Sequence, residues 1–316
     1  MTRAAALVVA LAAVAHADAP VDRPEAIEVD RLDEPPGRVE LGFDGGAPVD
    51  SWALGAQLGF LDDPIVLRSG SIVTAPVHHR ETLALGGAVS FGTSIVIDAR
   101  LAVSHQVGDR LEMLGDDAGL AHWVLGDLAL GARVHVAGGS RLSVFLRGEL
   151  TLPTGDDHEF AGEARFTAAW LLIARATLAH GVTLAATGGI RLRAAEVDVG
   201  DRVVGDELTG GIGATVALPP VFGLWCVPDQ LKLAGELVGV LGDNVSHMLG
   251  PSPVEARLGL VGQPRPDLTI GVRGGIGLDD QIGAPEVRVL VEAAWQAPAP
   301  PRPPPTAEPE PQLDDE

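Results

Sequence analysis

Residues 123–160 read WVLGDLALGARVHVAGGSRLSVFLRGELTLPTGDDHEF, and two rows of alternating side chains in this stretch decide the fold. From 124 to 136 the even positions hold Val124, Gly126, Leu128, Leu130, Ala132, Val134 and Val136, while the odd positions include Asp127, Gly131, Arg133 and His135. Ala137-Gly138-Gly139-Ser140 supplies a tight turn, because glycine adopts positive φ cheaply. From 142 to 152 the even positions Leu142, Val144, Leu146, Leu150 and Leu152 are apolar and alternate with Ser143, Arg147, Glu149 and Thr151. Side chains alternate faces along a strand, so each strand has one apolar and one charged face. Full charges in the middle of long strands are what a membrane barrel shows, with lipid outside and a polar lumen inside.

Composition agrees with this reading. Mean hydropathy is positive at +0.23 although 21% of the residues are charged, and the one apolar run of note is N-terminal. Such a chain crosses a membrane as a barrel, since each strand needs only about ten alternating residues. The formal net charge of −21 argues against nucleic acid as a partner. Cys226 is the single cysteine, so no internal disulfide is available.

Residues 1–17 read as a secretory signal peptide, with Arg3 as its positive region, an apolar core from 4 to 14, and cleavage after Ala17. Residues 18–37 are an acidic, aperiodic lead-in. The barrel is expected within 38–295, and a proline- and acid-rich tail at 296–316 follows it on the periplasmic side. Period-2 strands are predicted at 52–60, 82–91, 94–103, the two strands quoted above, 165–174, 182–193, 207–218, 231–241, 254–261, 268–278 and 287–295. The segment at 165–174 is apolar on both faces, and the short alternating run at 39–43 is left outside the barrel. The fold class is therefore all-β, an antiparallel up-and-down transmembrane barrel of about 12 strands. Long connections (61–79, 106–122, 153–163, 195–206, 242–253, 279–286) alternate with short ones, and 219–229 breaks the alternation. Trp52, Phe91, Phe222, Trp225 and Trp295 fall at predicted periplasmic ends and Phe60, Trp123 and Phe166 at outer ends, as aromatic girdles require. Trp170 and Phe145 fall mid-strand, outside both girdles.

The runs GDLALGARVHV, LPTGDD, VGDELTGGIGA and DPIVLRSG resemble the N-terminal barrel region of outer-membrane protein A-like proteins and the related transporter-like barrels named from a phenol-degradation pathway. The resemblance covers residues 64–295 and implies a bacterial outer-membrane location. It also implies that the aromatic ending the last strand, Trp295, is the signal read by the barrel insertion machinery. Members of these families often continue through a proline-rich linker into a peptidoglycan-binding domain; the run to Glu316 resembles that linker, and the reading carries no such domain.

Candidate chemistry is sparse. No Gly-x-Ser-x-Gly elbow is present, and Ser104-His105 and Asp157-His158 read as rim loop residues rather than a catalytic site. His78, His79, His105, His122, His158 and His247 share the predicted outer side with Asp116, Asp117, Asp156, Asp157, Asp279 and Asp280, yet their spacing gives no metal ligand set. An acidic, solvated rim facing lipopolysaccharide is the plainer reading, and no metal or cofactor is assigned. Glycines 210–213 and 274–277 permit curvature or close packing, since no helix follows them to make a phosphate loop.

The functional expectation concerns the lumen. Inward positions carry Asp98, Arg100, Asp127, Arg133, Arg147, Glu149, Arg191, Arg193, Glu207, Lys232, Glu236, Glu255, Arg257, Arg273, Arg288 and Glu292. Their signs nearly balance, which predicts a narrow or closed pore of weak ion selectivity, serving as a structural barrel or a route for small solutes. The expected surroundings are outer-membrane lipid and lipopolysaccharide. The alternatives are a soluble periplasmic β-protein that binds a ligand and a barrel-rim hydrolase.

Overall fold

A computed structural model describes residues 51–69, 72–92, 94–108, 120–139, 141–194, 196–199, 202–219, 231–241, 253–279 and 283–296. The signal peptide with its Ala17 cleavage site, the lead-in, the run at 39–43, the connection at 220–230, His247 and the tail beyond Gln296 lie outside the described residues.

The strands are β1 (Trp52–Ser69), β2 (Ile72–Phe91), β3 (Ile95–Val107), β4 (Trp123–Leu125), β5 (Leu128–Gly138), β6 (Leu142–Leu152), β7 (Thr167–Thr177) and β8 (Val182–Arg193). They continue as β9 (Val197–Val199), β10 (Arg202–Val204), β11 (Glu207–Ala217), β12 (Lys232–Leu241), β13 (Val254–Arg265), β14 (Leu268–Gly277) and β15 (Val287–Gln296). Each wall strand pairs antiparallel with its neighbours in the sequence, and β15 returns to β1 with Ala53 opposite Gln296 and Asp62 opposite Val287. This last pairing closes the sheet into a barrel without an edge. β4 and β5 both pair with β3 and form one broken stave, so the 13-stranded sheet is a barrel of 12 staves.

Period-2 alternation sets the two faces. Leu83, Leu85, Ile97, Leu130, Leu146, Leu172, Leu258, Val272, Val289 and Val291 point outward and are exposed. Their neighbours Ala84, Asp98, Ala129, Arg147, Leu171, Arg257, Arg273, Arg288 and Leu290 point inward and are buried. An exposed leucine and valine belt this extensive is stable only against hydrocarbon. No helix among the described residues is long and apolar enough to cross a membrane; the crossing is made by strands. In the stretch that is apolar on both faces, Thr167, Ala169 and Leu171 turn inward and Trp170 outward. Gly148 lies opposite Trp170, and the indole covers the space its missing Cβ leaves.

Both chain ends of the barrel, Trp52 and Gln296, lie at one rim, called the near rim below; the other is the far rim. Three departures from the sequence expectation occur on the far side. The region at 61–79 is not a loop: β1 and β2 extend to 18 and 20 residues, and their pairing continues to Ser69 and Ile72 through two register shifts. Asp63, at φ 42°, takes up the first bulge. The strand expected from 123 to 136 is interrupted at Gly126-Asp127, where the Gly126 N–H still donates to Ala102 O at 2.8 Å. The connection at 195–206 contains the small β9–β10 hairpin. At the near rim the turn after β5 places Gly138 at φ 110°, in the region that favours glycine.

Candidate functional site in the barrel interior

Inward alternation brings the charges of eight different wall strands into one enclosed space, where they form a belt of ion pairs. Arg147 on β6 reaches across β5 and donates from Nη1 and Nη2 to both oxygens of Asp98 on β3, at 2.7 and 2.9 Å. Its Nη2 also lies 2.7 Å from Glu149 Oε2. The reach is possible because Gly131 stands between them; a Cβ there would collide with Arg147 Nη2 and both Asp98 oxygens. Arg100, also facing inward, contributes to the field around Glu149 together with Arg147 and Arg191.

Further round the wall, Arg191 and Arg193 hold the two oxygens of Glu207 at 3.1 and 2.7 Å. Arg273 lies 2.7 Å from Glu236 and 3.7 Å from Glu292. Arg288 Nε meets both Glu255 oxygens at 2.9 Å, and Arg257 Nε donates to Glu255 Oε1 at 2.8 Å. Gly275 makes room for that trio, since a Cβ would strike Glu255 Oε1. Side-chain exposure is 5% or less for Asp98, Arg147, Glu149, Arg191, Arg193, Glu207, Glu236, Glu255, Arg257, Arg273, Arg288 and Glu292. Charges so poorly reached by water attract one another across a low effective dielectric and are costly to separate.

The connection between β6 and β7, residues 153–163, folds into the far mouth rather than standing above it. Asp127, at the break between β4 and β5, fastens one side of it. Asp127 Oδ1 accepts the N–H groups of Thr154 and Gly155 at 3.0 and 2.8 Å, and Oδ2 accepts that of Glu163 at 2.9 Å. The other side reaches the walls. Fully buried Arg80 on β2 donates to Gln106 Oε1 and to the Phe160 carbonyl. Gln106 on β3 donates to the Glu159 carbonyl at 2.8 Å, and Glu159 Oε2 accepts the Ala121 N–H at 2.8 Å. Glu163 pairs with Arg193 on β8 at 3.0 Å. Phe160 is completely buried with a left-handed backbone, φ 57°, a conformation a bulky residue holds only when its surroundings impose it. The loop therefore bridges walls from β2 to β8 and joins the belt through Arg193.

The structure thus brings most of the inward charges predicted from the sequence into one network, and places three of them elsewhere. Asp127 binds loop backbone instead of lining the belt. Arg133 lies over the Phe145 ring, 4.9 Å from its centroid, and Lys232 faces inward at the near-rim start of β12. Arg80, Gln106, Glu159, Phe160 and Glu163 were not among the predicted site residues. Arg80 and Gln106 continue the inward parity of β2 and β3, but they lie beyond positions 82 and 103, where the predicted strands stop. The loop residues carry no period that could have exposed them.

The rim candidates separate. Ser104 faces inward and bonds Thr82 at 2.9 Å, while the adjacent His105 faces outward toward Glu81, 3.8 Å away. Neighbouring strand residues on opposite faces cannot act on one substrate. Asp157 and His158 lie in the turn at Asp157–Glu159, where the His158 N–H donates to Asp156 Oδ1 at 3.2 Å. His79 pairs with Asp62 at 2.7 Å and His78 with Asp63 at 3.2 Å. Among the described residues no group of three His, Cys, Asp or Glu side chains is placed to hold a metal ion. Trp295 closes the near rim: its ring meets Trp52 edge-on at 5.2 Å, and its Nε1 donates to Asp267 at 2.8 Å.

An infolded far-mouth loop over a charged interior, inside a wall of 12 staves, has counterparts among solved structures at the level of the wall. The chain is similar to an outer-membrane channel from Pseudomonas putida F1, with a TM-score of 0.59 and 14% identity over 83% of this chain and 99% of that one. It is also similar to the NanC porin, with a TM-score of 0.51 and 8% identity over 77% of this chain and all of that one. The fold is that of an outer-membrane channel barrel. At these identities the likeness is one of fold alone. No family model and no curated protein matches the sequence.

Proposed function

We propose that this chain is a bacterial outer-membrane barrel whose pore is narrow or closed at mid-height, acting as a structural barrel or as a restrictive passive route for small solutes. The observation that carries the reading is the buried ion-pair belt: a water-filled channel would leave those carboxylates and guanidinium groups exposed, and they are almost fully covered. The infolded loop, fastened by Asp127, Arg80 and Gln106, narrows the far mouth above the belt. With the near rim toward the periplasm, the long connections face outward and the short turns inward, as in other barrels of this class.

The apolar outer face supports the membrane over the soluble periplasmic reading, and the split of Ser104 from His105 removes one basis for a rim hydrolase. We read the strand and turn motifs as those of the transporter-like barrels they resemble. The partners that follow are outer-membrane lipid, lipopolysaccharide and the insertion machinery, which would read Trp295. Planar-bilayer recording of the refolded chain tests the proposal: small or no conductance is expected, and a wide, steadily open pore would refute it.

A further inference from the structure

The lipid-facing wall is not evenly covered by large side chains. A groove of about 570 Å³ crosses its outer surface over β6, β7, β8, β11 and β12. Strand register builds it from two adjacent rows. Leu142 and Leu184 stand in one row with Ala176 between them, and Ala186, Ile212 and Leu237 stand in the next. The three leucines and Ile212 are exposed and stand up as walls, while the alanines leave the floor low. The inward neighbour Glu236 turns its carboxylate to Arg273 in the belt, so the groove itself is apolar. It is also inclined. Leu142 opens β6 at the near rim, whereas Leu237 lies five residues beyond Lys232, the first residue of β12. From β6 to β12 the groove crosses four inter-strand spacings, about 19 Å, comparable with one leaflet of hydrocarbon, about 15 Å.

The lower end of the groove meets basic side chains. Arg141 directly precedes Leu142, and its carbonyl accepts the Thr177 N–H at 2.8 Å, which sets it at the near rim beside the ends of β6 and β7. His180 lies in the turn from β7 to β8, and that turn leans on Ala217 at the near end of β11. Both residues are exposed, and neither forms an ion pair among the described residues. Residues 137–142 and 176–183 contain no acid, in a chain whose net charge is −21. A basic strip at headgroup level, continuous with an apolar groove that climbs into the hydrocarbon, complements a molecule with an anionic head and an acyl chain. A second copy of the barrel seated here by a two-fold axis would instead bring one basic strip toward the other.

We propose that the groove is a binding site for an anionic glycerophospholipid of the periplasmic leaflet, with an acyl chain between the leucines and the phosphate on Arg141. The proposal rests on the barrel reading, with the near rim toward the periplasm, and not on conduction. Native mass spectrometry of the full chain refolded in detergent tests it, with dioleoylphosphatidylglycerol and dioleoylphosphatidylcholine as probes of equal tails and different heads. One bound phosphatidylglycerol is expected, at about fivefold higher affinity than phosphatidylcholine. Arg141→Gln should lower the phosphatidylglycerol affinity to that of phosphatidylcholine. Ala186→Leu fills the groove from its exposed floor without touching the interior, and should weaken both lipids about tenfold or more. Equal binding of the two lipids by the unmodified barrel, or unchanged phosphatidylglycerol binding in either variant, would overturn the proposal. So would a dimer that Ala186→Leu dissolves, which would assign the groove to a second copy of the chain. Heat-modifiable migration first shows that each chain is a folded barrel. A folded barrel without the lipid preference sinks this proposal alone, whereas a chain recovered in solution without detergent sinks the barrel reading beneath it.

Discussion

At the scale of single residues, the interior is organised by arginines that each serve more than one acid. Arg147 holds Asp98 bidentately and Glu149 as well, so its loss leaves two buried carboxylates facing each other. Arg147→Ala should destabilise the barrel by about 3–5 kcal/mol in urea unfolding from lipid vesicles, the usual cost of an uncompensated buried charge. An unchanged midpoint would mean that water already reaches the pair. Gly131 has an equally specific role, because its missing Cβ is the space through which Arg147 reaches Asp98. Gly131→Val should cost about 1–3 kcal/mol by overpacking and split the pair; a crystal structure of the variant with the Asp98–Arg147 contact intact would contradict this. Charges two residues apart share one face, so the Arg147–Glu149 pair is legible in the sequence, whereas the reach to Asp98 and the task of Gly131 are not. Parity says that Gly131 faces inward, but not that a side chain from the next strand crosses it.

At the scale of elements, the strands were legible and the connections were not. Period-2 alternation marked the staves wherever lipid on one side and charge on the other leave a strong signal, and it was silent on register only in the stretch at 165–174, which is apolar on both faces. The same rule left the task of Asp127 unread. Its parity is that of a lumen charge, and the break after β4 sets it against the infolded loop at 153–163 rather than in the belt; a one-residue bulge leaves no mark in a hydropathy pattern. Asp127→Ala removes the acceptor of three backbone N–H groups and should release that loop. The expected result is new protease cleavage between Pro153 and Glu163 in vesicles with the far rim outside; continued resistance would show that Arg80, Gln106 and Arg193 suffice to hold it. The closing strand makes a separate prediction. β15 pairs with both β14 and β1, and Trp295 packs on Trp52. Removing residues 296–316 should leave membrane insertion intact, while removing 293–295 should abolish it, as read by heat-modifiable migration in gels. Normal insertion of the second variant would refute the role given to Trp295.

At the scale of the whole molecule, the excess acid and the barrel interior are separate matters. The chain carries a net charge of −21, yet the belt pairs its inward acids Asp98, Glu149, Glu207, Glu236, Glu255 and Glu292 with arginines, so the surplus lies in the loops, lead-in and tail. The outward belt of leucine and valine commits the wall to a bilayer, and recovery of the protein in a detergent-free periplasmic fraction would be incompatible with it. Within that wall, paired charges and an infolded loop occupy the space that a general porin leaves to water. Single-channel recording of the refolded full chain in a planar bilayer tests this most directly. Small or absent conductance is predicted for the unmodified barrel, rising and shifting toward cations when Arg147 and Arg191 are both changed to alanine. A large, strongly anion-selective conductance in the unmodified protein would contradict it.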